Sequence, residues 1–287
     1  MSIDVVIKQR NFIKKKLPLA VILGDDLQYG AFENDHLNVG VVDKNDFLAF
    51  HPKHIGRGFS VLWNEKTKTA VELRLLHPTT PDEISDFYAA VKRIVKYWNG
   101  TLFVDGQNIT LSRFLKGYDE ALRFNEKIIR KFSGEVLDGK HDTLTVYSAM
   151  FPLYIGKNEA GMFTENPGTY YQWLHEKQSV SARYASAEFY QTEKGIVGEF
   201  TLSAGESVLL SQSPVVPFGM TDTQTGEPLE CKKFRVSLIS ADGKKIATLP
   251  YGDFWKRLPK AKMQKFDGKQ TLISPLTEEE LQSLTED

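Results

Sequence analysis

The stretch that most constrains this fold is residues 81–98. Ile84, Phe87, Tyr88, Val91, Ile94, Val95 and Trp98 recur at three- and four-residue spacing, which gathers them on one stripe of an α-helix. Asp86, Lys92, Arg93 and Lys96 fall on the other side. Both ends carry their own signals. Thr80 and Glu83 have capping-box spacing, and Pro81 sits at the first helical position, where a missing N–H costs nothing. Asn99-Gly100 stops the helix. So apolar a face must be covered, and strands precede it. Phe59 to Trp63 and Thr69 to Leu76, separated by the polar Asn64 to Lys68, predict a hairpin.

A second helix is expected from about Ser112 to Phe132, with Phe114, Leu115, Tyr118, Leu122, Asn125, Ile128, Ile129 and Phe132 on its stripe and Gly134 ending it. The pattern then changes. Thr143 to Tyr147, Glu188 to Thr192, Val197 to Leu202, Ser207 to Ser211 and Phe234 to Ile239 are rich in β-branched or aromatic residues. Asp-Gly pairs at 105, 138, 242 and 267 suit tight hairpin turns, where both central residues take positive φ. Thr277 and Glu280 form another capping box ahead of Leu281 and Leu284. Short strands joined by hairpins pair antiparallel, whereas a doubly wound sheet would alternate strand and helix. The expected class is α+β: antiparallel-rich sheets with two main helices in the N-terminal half and a mostly β C-terminal half. The expected division lies near Ser133 to His141. It separates a small α+β domain over 1–135 from a mostly β domain over 140–287, unless one core runs through both.

With 41% hydrophobic residues the chain is too apolar for disorder. A formal charge of −1 supplies no field to recruit nucleic acid or an anionic bilayer, so neither is expected as a partner. The single Cys231 excludes an intrachain disulfide and a cysteine zinc site, which fits a reducing, cytoplasmic setting. Lys14 to Lys16 ahead of Leu17 to Leu23 imitate an export signal, but the run is short, contains Pro18 and meets Gly24-Asp25-Asp26. The basic stretch Lys8, Arg10 and Lys14 to Lys16 holds Phe12 as its one interleaved aromatic and predicts a solvated strand end.

Three motifs imitate active sites and fail. Gly134 to His141 has phosphate-loop spacing, but a helix precedes it and a strand follows, and His141 replaces the magnesium-binding hydroxyl. His175-Glu176 begins a zinc-protease helix, yet Ser179 stands where the second histidine belongs. Asp43 to Asp46 lacks the glycine and glutamate of a calcium loop. No metal site and no cofactor are expected. Two features survive as binding candidates. Gly56-Arg57-Gly58, preceded by His51 and His54, could offer N–H groups and a guanidinium to an anion. Tyr170, Tyr171, Trp173 and His175 form the densest aromatic-polar cluster.

Leu27-Gln28-Tyr29-Gly30, Ile55 to Val61, Leu73 to Leu76 with Pro78 to Asp82, and the helix to Trp98 together resemble a bacterial, streptococcus-like (Firmicutes) family known as a domain of unknown function. The resemblance implies a cytosolic setting and transfers no active-site residue. The favoured expectation is a non-catalytic protein that binds a macromolecule or small ligand through Arg57 or the Tyr170 to His175 cluster. One alternative is an enzyme assembled from distant carboxylates with His36, His51, His54 or His175. The other is anion or phosphate recognition at His51 to Gly58.

Overall fold

The structure, a computed structural model, describes residues 1–33, 36–193, 195–214, 216, 220–221 and 226–286, without the side chains of Glu33 and His36. The side chain of His36, one of the proposed acid/base groups, lies outside the described residues. The chain forms two compact units, Met1–Val180 and Ser181–Asp287. Residues 133–141 fall inside the first of them.

The first unit runs β1 (Ser2–Lys8), α1 (Leu19–Leu23), β2 (Gln28–Glu33), β3 (His36–Val39), β4 (Asp46–Phe50), β5 (Phe59–Leu62), β6 (Ala70–Leu76), α2 (Pro81–Trp98), β7 (Thr101–Val104) and β8 (Gln107–Ile109). It continues with α3 (Leu111–Lys116), α4 (Tyr118–Leu137), β9 (Leu144–Val146), β10 (Leu153–Ile155), α5 (Lys157–Glu165) and α6 (Gly168–Gln178). Eight strands make one sheet in the order β3-β2-β4-β5-β6-β1-β7-β8. Every pairing in it is antiparallel. The predicted hairpin is β5–β6, with Phe59 opposite Leu75 and Val61 opposite Leu73. Alternation sends Val5, Ile7, Val61, Leu73 and Leu75 to the inner face. There they share a core with Ile84, Phe87, Val91, Ile94 and Trp98 of α2. Each such side chain contributes about 1.5–3 kcal/mol by leaving water.

Helix α2 spans the predicted residues. The second helix departs from its expected course at two points. Gly117 breaks it into α3 and α4, and Gly134 lies inside α4, which continues to Leu137. Asp138-Gly139 accordingly ends a helix instead of turning a hairpin, with Gly139 at φ +72°. Asp105-Gly106 does turn one, with both residues at positive φ between β7 and β8.

The second unit holds β11 (Arg183–Tyr184), β12 (Glu188–Thr192), β13 (Gly195–Ser203), β14 (Val208–Ser211), β15 (Lys233–Ile239), β16 (Lys245–Pro250), α7 (Tyr251–Arg257), β17 (Met263–Lys265), β18 (Gln270–Ile273) and α8 (Glu278–Ser283). Two four-stranded sheets, β12-β13-β15-β16 and β11-β14-β18-β17, carry it. β13–β15 and β11–β14 pair parallel, the rest antiparallel. The Thr277–Glu280 capping box closes α8 from both sides. The fold class is α+β with antiparallel-rich sheets. The helices α5 and α6 are an addition within the half expected to be mostly β. α6 carries Tyr170, Tyr171, Trp173 and His175, whose local preferences do not favour a helix, and Tyr170, Trp173 and Leu174 are buried in packing it.

Candidate functional site

Strand β5 is entered through Gly56-Arg57-Gly58, and β6 leaves through His77-Pro78-Thr79 into α2. Because β5 and β6 pair, the two connections meet at one end of the sheet. Arg57 is buried there, 9% exposed. Its Nε donates to the Tyr147 carbonyl at 2.7 Å and its Nη1 to the Pro78 carbonyl at 3.1 Å. Tyr170, fully buried on α6, donates its hydroxyl to the same Pro78 oxygen at 3.1 Å. Two of the candidate segments are thus joined on one acceptor.

The Gly-Arg-Gly turn does face an anion. The anion is the chain's own Glu83, whose Oε1 accepts from the Gly58 N–H at 2.5 Å. The Thr79 hydroxyl donates to the other carboxylate oxygen. Only half of the predicted capping box therefore forms. Thr80 accepts from the Glu83 N–H at 3.2 Å, while the Glu83 carboxylate turns away from the Thr80 backbone toward Gly58. Gly56 permits this approach, since a Cβ there would stand 2.7 Å from Glu83 Oε2. Gly58 has φ +66°, and a Cβ on it would meet the Ala49 carbonyl at 2.6 Å.

Asn125 of α4 closes the arrangement. Its Oδ1 accepts from the Thr79 N–H at 2.8 Å and lies 2.8 Å from His77 Nδ1, and its Nδ2 donates to the Thr79 carbonyl at 2.8 Å. Burial pulls the His77 imidazole below its ordinary value against the hydrogen bond to the Asn125 amide oxygen, and the Arg57 charge adds to the lowering. His77 Nε2 is buried without a hydrogen-bond partner among the described residues. Burial also lowers Arg57, opposed by Tyr170 and Glu83, and raises the Tyr170 hydroxyl well above the tyrosine range. Arginine still keeps its charge. Trp173 is buried among Phe163 and Tyr170, and Tyr171 is half-buried beside Asn125.

The outward-facing part is a histidine group. The His51 and His54 rings lie 4.7 Å apart, and His175 lies 6.3 Å from His54. His175 Nδ1 contacts the Ile55 carbonyl at 3.3 Å, which brings the end of α6 over the loop before Arg57. Asp86, one turn beyond Glu83 on α2, sits in their field. Burial raises its carboxyl, and His51 is the largest influence holding it down. The Lys53 N–H donates to His51 Nδ1 at 3.0 Å, so the other ring nitrogen of neutral His51 carries the proton. His51 and His175 are half-exposed and His54 is exposed.

Sequence reading anticipated His51, His54, His175, Arg57 and the aromatic cluster, but not that they share one end of the unit. It missed Glu83 as an internal anion, His77, Asp86 and Asn125. The available signal was Asn125 itself, a polar residue on an otherwise apolar helical stripe. No group of three or more His, Cys, Asp or Glu residues among those described is placed to hold a metal. No described helix is long and apolar enough to cross a membrane. No curated protein and no solved structure matches the chain. The family model for the domain of unknown function DUF4299 covers residues 2–284, and the chain belongs to that family.

Proposed function

We infer that this is a non-catalytic binding protein of the bacterial cytoplasm, and that its first unit takes a small anionic ligand or an acidic protein segment at His51, His54 and His175. One observation carries the reading. Arg57 and Glu83, the charges that would polarise a substrate, are already engaged by internal hydrogen bonds, whereas three imidazoles are grouped at the surface. Imidazoles that reach the surface offer N–H donors at little desolvation cost. Arg57, Gly56, Gly58, Tyr170 and Trp173 act beneath them by fixing the loop that carries His51 and His54. Tyr171 lines the same layer beside Asn125.

The test is thermal-shift titration of the whole chain with inorganic phosphate, carboxylates and acidic peptides, since a ligand that binds only the folded state raises the melting temperature. A rise that disappears in a His51→Ala/His54→Ala/His175→Ala variant supports the reading. Absence of any rise, or one retained in that variant, refutes it. An enzyme is the second reading, favoured by the fixed tautomer of His51. Substrate turnover lost in His51→Ala would establish it instead.

A further inference from the structure

The other end of β1 carries a second feature. Residues 9–16 leave β1 and return to Leu17, which is 2% exposed. The base of this loop is tightly tied. Gln9 is 5% exposed, and its side-chain amide donates to the Lys68 and Lys15 carbonyls at 2.5 and 2.9 Å. Its Oε1 accepts from the Lys15 N–H at 2.8 Å and from Asn11 Nδ2 at 3.1 Å. Trp98 of α2 donates to the Lys15 carbonyl at 3.1 Å, and the Leu17 N–H to Thr67 at 2.9 Å. With the base fixed in this way, Phe12 is 101% exposed and Ile13 80% exposed.

Two adjacent large apolar side chains held fully in water are unlike the scattered exposed hydrophobics of an ordinary surface. Their surroundings are cationic. Arg10, Lys14, Lys15 and Lys16 flank the tip, and Lys66 and Lys68 are exposed on the hairpin whose Thr67, Lys68 and Thr69 carbonyls bind the loop's base. None of these six pairs with a carboxylate among the described residues, and Glu65 is the one acid within those two segments. Arg10 and Lys14 make local bonds to neutral acceptors, Thr101 Oγ1 at 2.6 Å and the Gln9 carbonyl at 2.8 Å. Along the sequence Phe12 is a single aromatic in a basic strand end. In the fold it shares a projecting tip with Ile13, above a cationic base.

We propose that loop 9–16 docks the protein on an anionic lipid surface, with Phe12 and Ile13 entering the headgroup–acyl boundary and the surrounding lysines and Arg10 meeting acidic headgroups. Apolar apex and basic shoulder are the two signals that peripheral membrane binding needs together, because either alone holds only weakly. A nucleic acid would use the cations and stack a base on Phe12 but leave Ile13 in water. An acidic protein would need its own pocket for the two apolar side chains. A bilayer accepts both without one. The net charge of −1 is no obstacle, since at physiological ionic strength the interaction reaches only about 8 Å.

The experiment is co-sedimentation of the whole chain with phosphatidylcholine vesicles and with phosphatidylserine-rich vesicles. Binding is expected to the second kind alone. It should weaken about five-fold for each of Lys14, Lys15 and Lys16 changed to Gln, and fall with added salt. Phe12→Ser/Ile13→Ser should abolish binding while leaving the melting temperature unchanged, because both side chains are already solvated. A Phe12→Trp variant should show a blue-shifted emission only with phosphatidylserine vesicles. No binding to either vesicle overturns the proposal. So does binding that survives Phe12→Ser/Ile13→Ser, capture by polyglutamate or RNA equal to that by vesicles, or a dimer that the same double change dissolves.

Discussion

Arg57 and Tyr170 donate to one and the same acceptor, the carbonyl oxygen of Pro78, each at 3.1 Å. Residues from the loop before β5 and from α6 therefore complete the lone-pair capacity of a single buried oxygen. Their losses should differ. Tyr170→Phe leaves Pro78 with its charged donor and is expected to cost about 1 kcal/mol. Arg57→Ala strips donors from Pro78 and Tyr147 and leaves Glu83 without its neighbouring cation, at about 3 kcal/mol or more. Urea unfolding of both variants and of the double variant checks this, and a double-mutant coupling near zero would contradict the shared acceptor.

The glycines flanking Arg57 differ in what they tolerate. Gly58→Ala meets backbone at Ala49 and adopts φ +66°, so a loss of about 2 kcal/mol or more is expected. Gly56→Ala instead meets the Glu83 carboxylate at 2.7 Å. Pairing it with Glu83→Ala should recover part of its cost, whereas Gly58→Ala should gain nothing from that pairing. Denaturation midpoints of the three single and two double variants decide it.

Asn125 is fully buried and serves both backbone groups of Thr79. Asn125→Ala leaves a buried N–H and a buried carbonyl unpaired, which should cost about 2–4 kcal/mol in chemical denaturation. Asn125→Asp should be no better, because it turns an acceptor toward the Thr79 carbonyl.

His77 links stability to pH. Its folded value lies below the ordinary one, so the unfolded chain binds the proton more readily. Its contribution is therefore fully present above about pH 6.5 and declines as the pH falls from there toward the folded value. The melting temperature should drop between neutral and mildly acid pH, and His77→Leu should flatten that drop. An equal slope in both proteins would assign the effect elsewhere.

Much of the fold was legible because its signals are local. The ends of α2 are marked by Thr80, Pro81 and Asn99, and the β5–β6 hairpin by alternation around a polar turn. Gly117 was hidden because helices often tolerate a glycine, and α6 because Tyr170, Tyr171 and Trp173 carry no strong local helical preference. The site was legible residue by residue only. His51, His54 and Arg57 stood out by composition, but their relation to His175, Asp86 and Asn125 depends on which strand ends meet. A single sequence without its pairings does not contain that information. The sequence marks Glu83 as a first-turn residue but not its partner, because a carboxylate at that position can turn either to its own helix or to a passing N–H.

The bond from Gly58 to Glu83 also bears on how the chain finds its alignment. Gly58 precedes β5 and Glu83 follows β6, so their bond reads the hairpin's register from outside it. A slip of one residue would carry the Gly58 N–H past the carboxylate and draw Arg57 away from Pro78. The wrongly aligned hairpin would then hold an unpaired guanidinium and an unpaired carboxylate near its end. The Gly-Arg-Gly turn thus works as a proofreading device for the central strands.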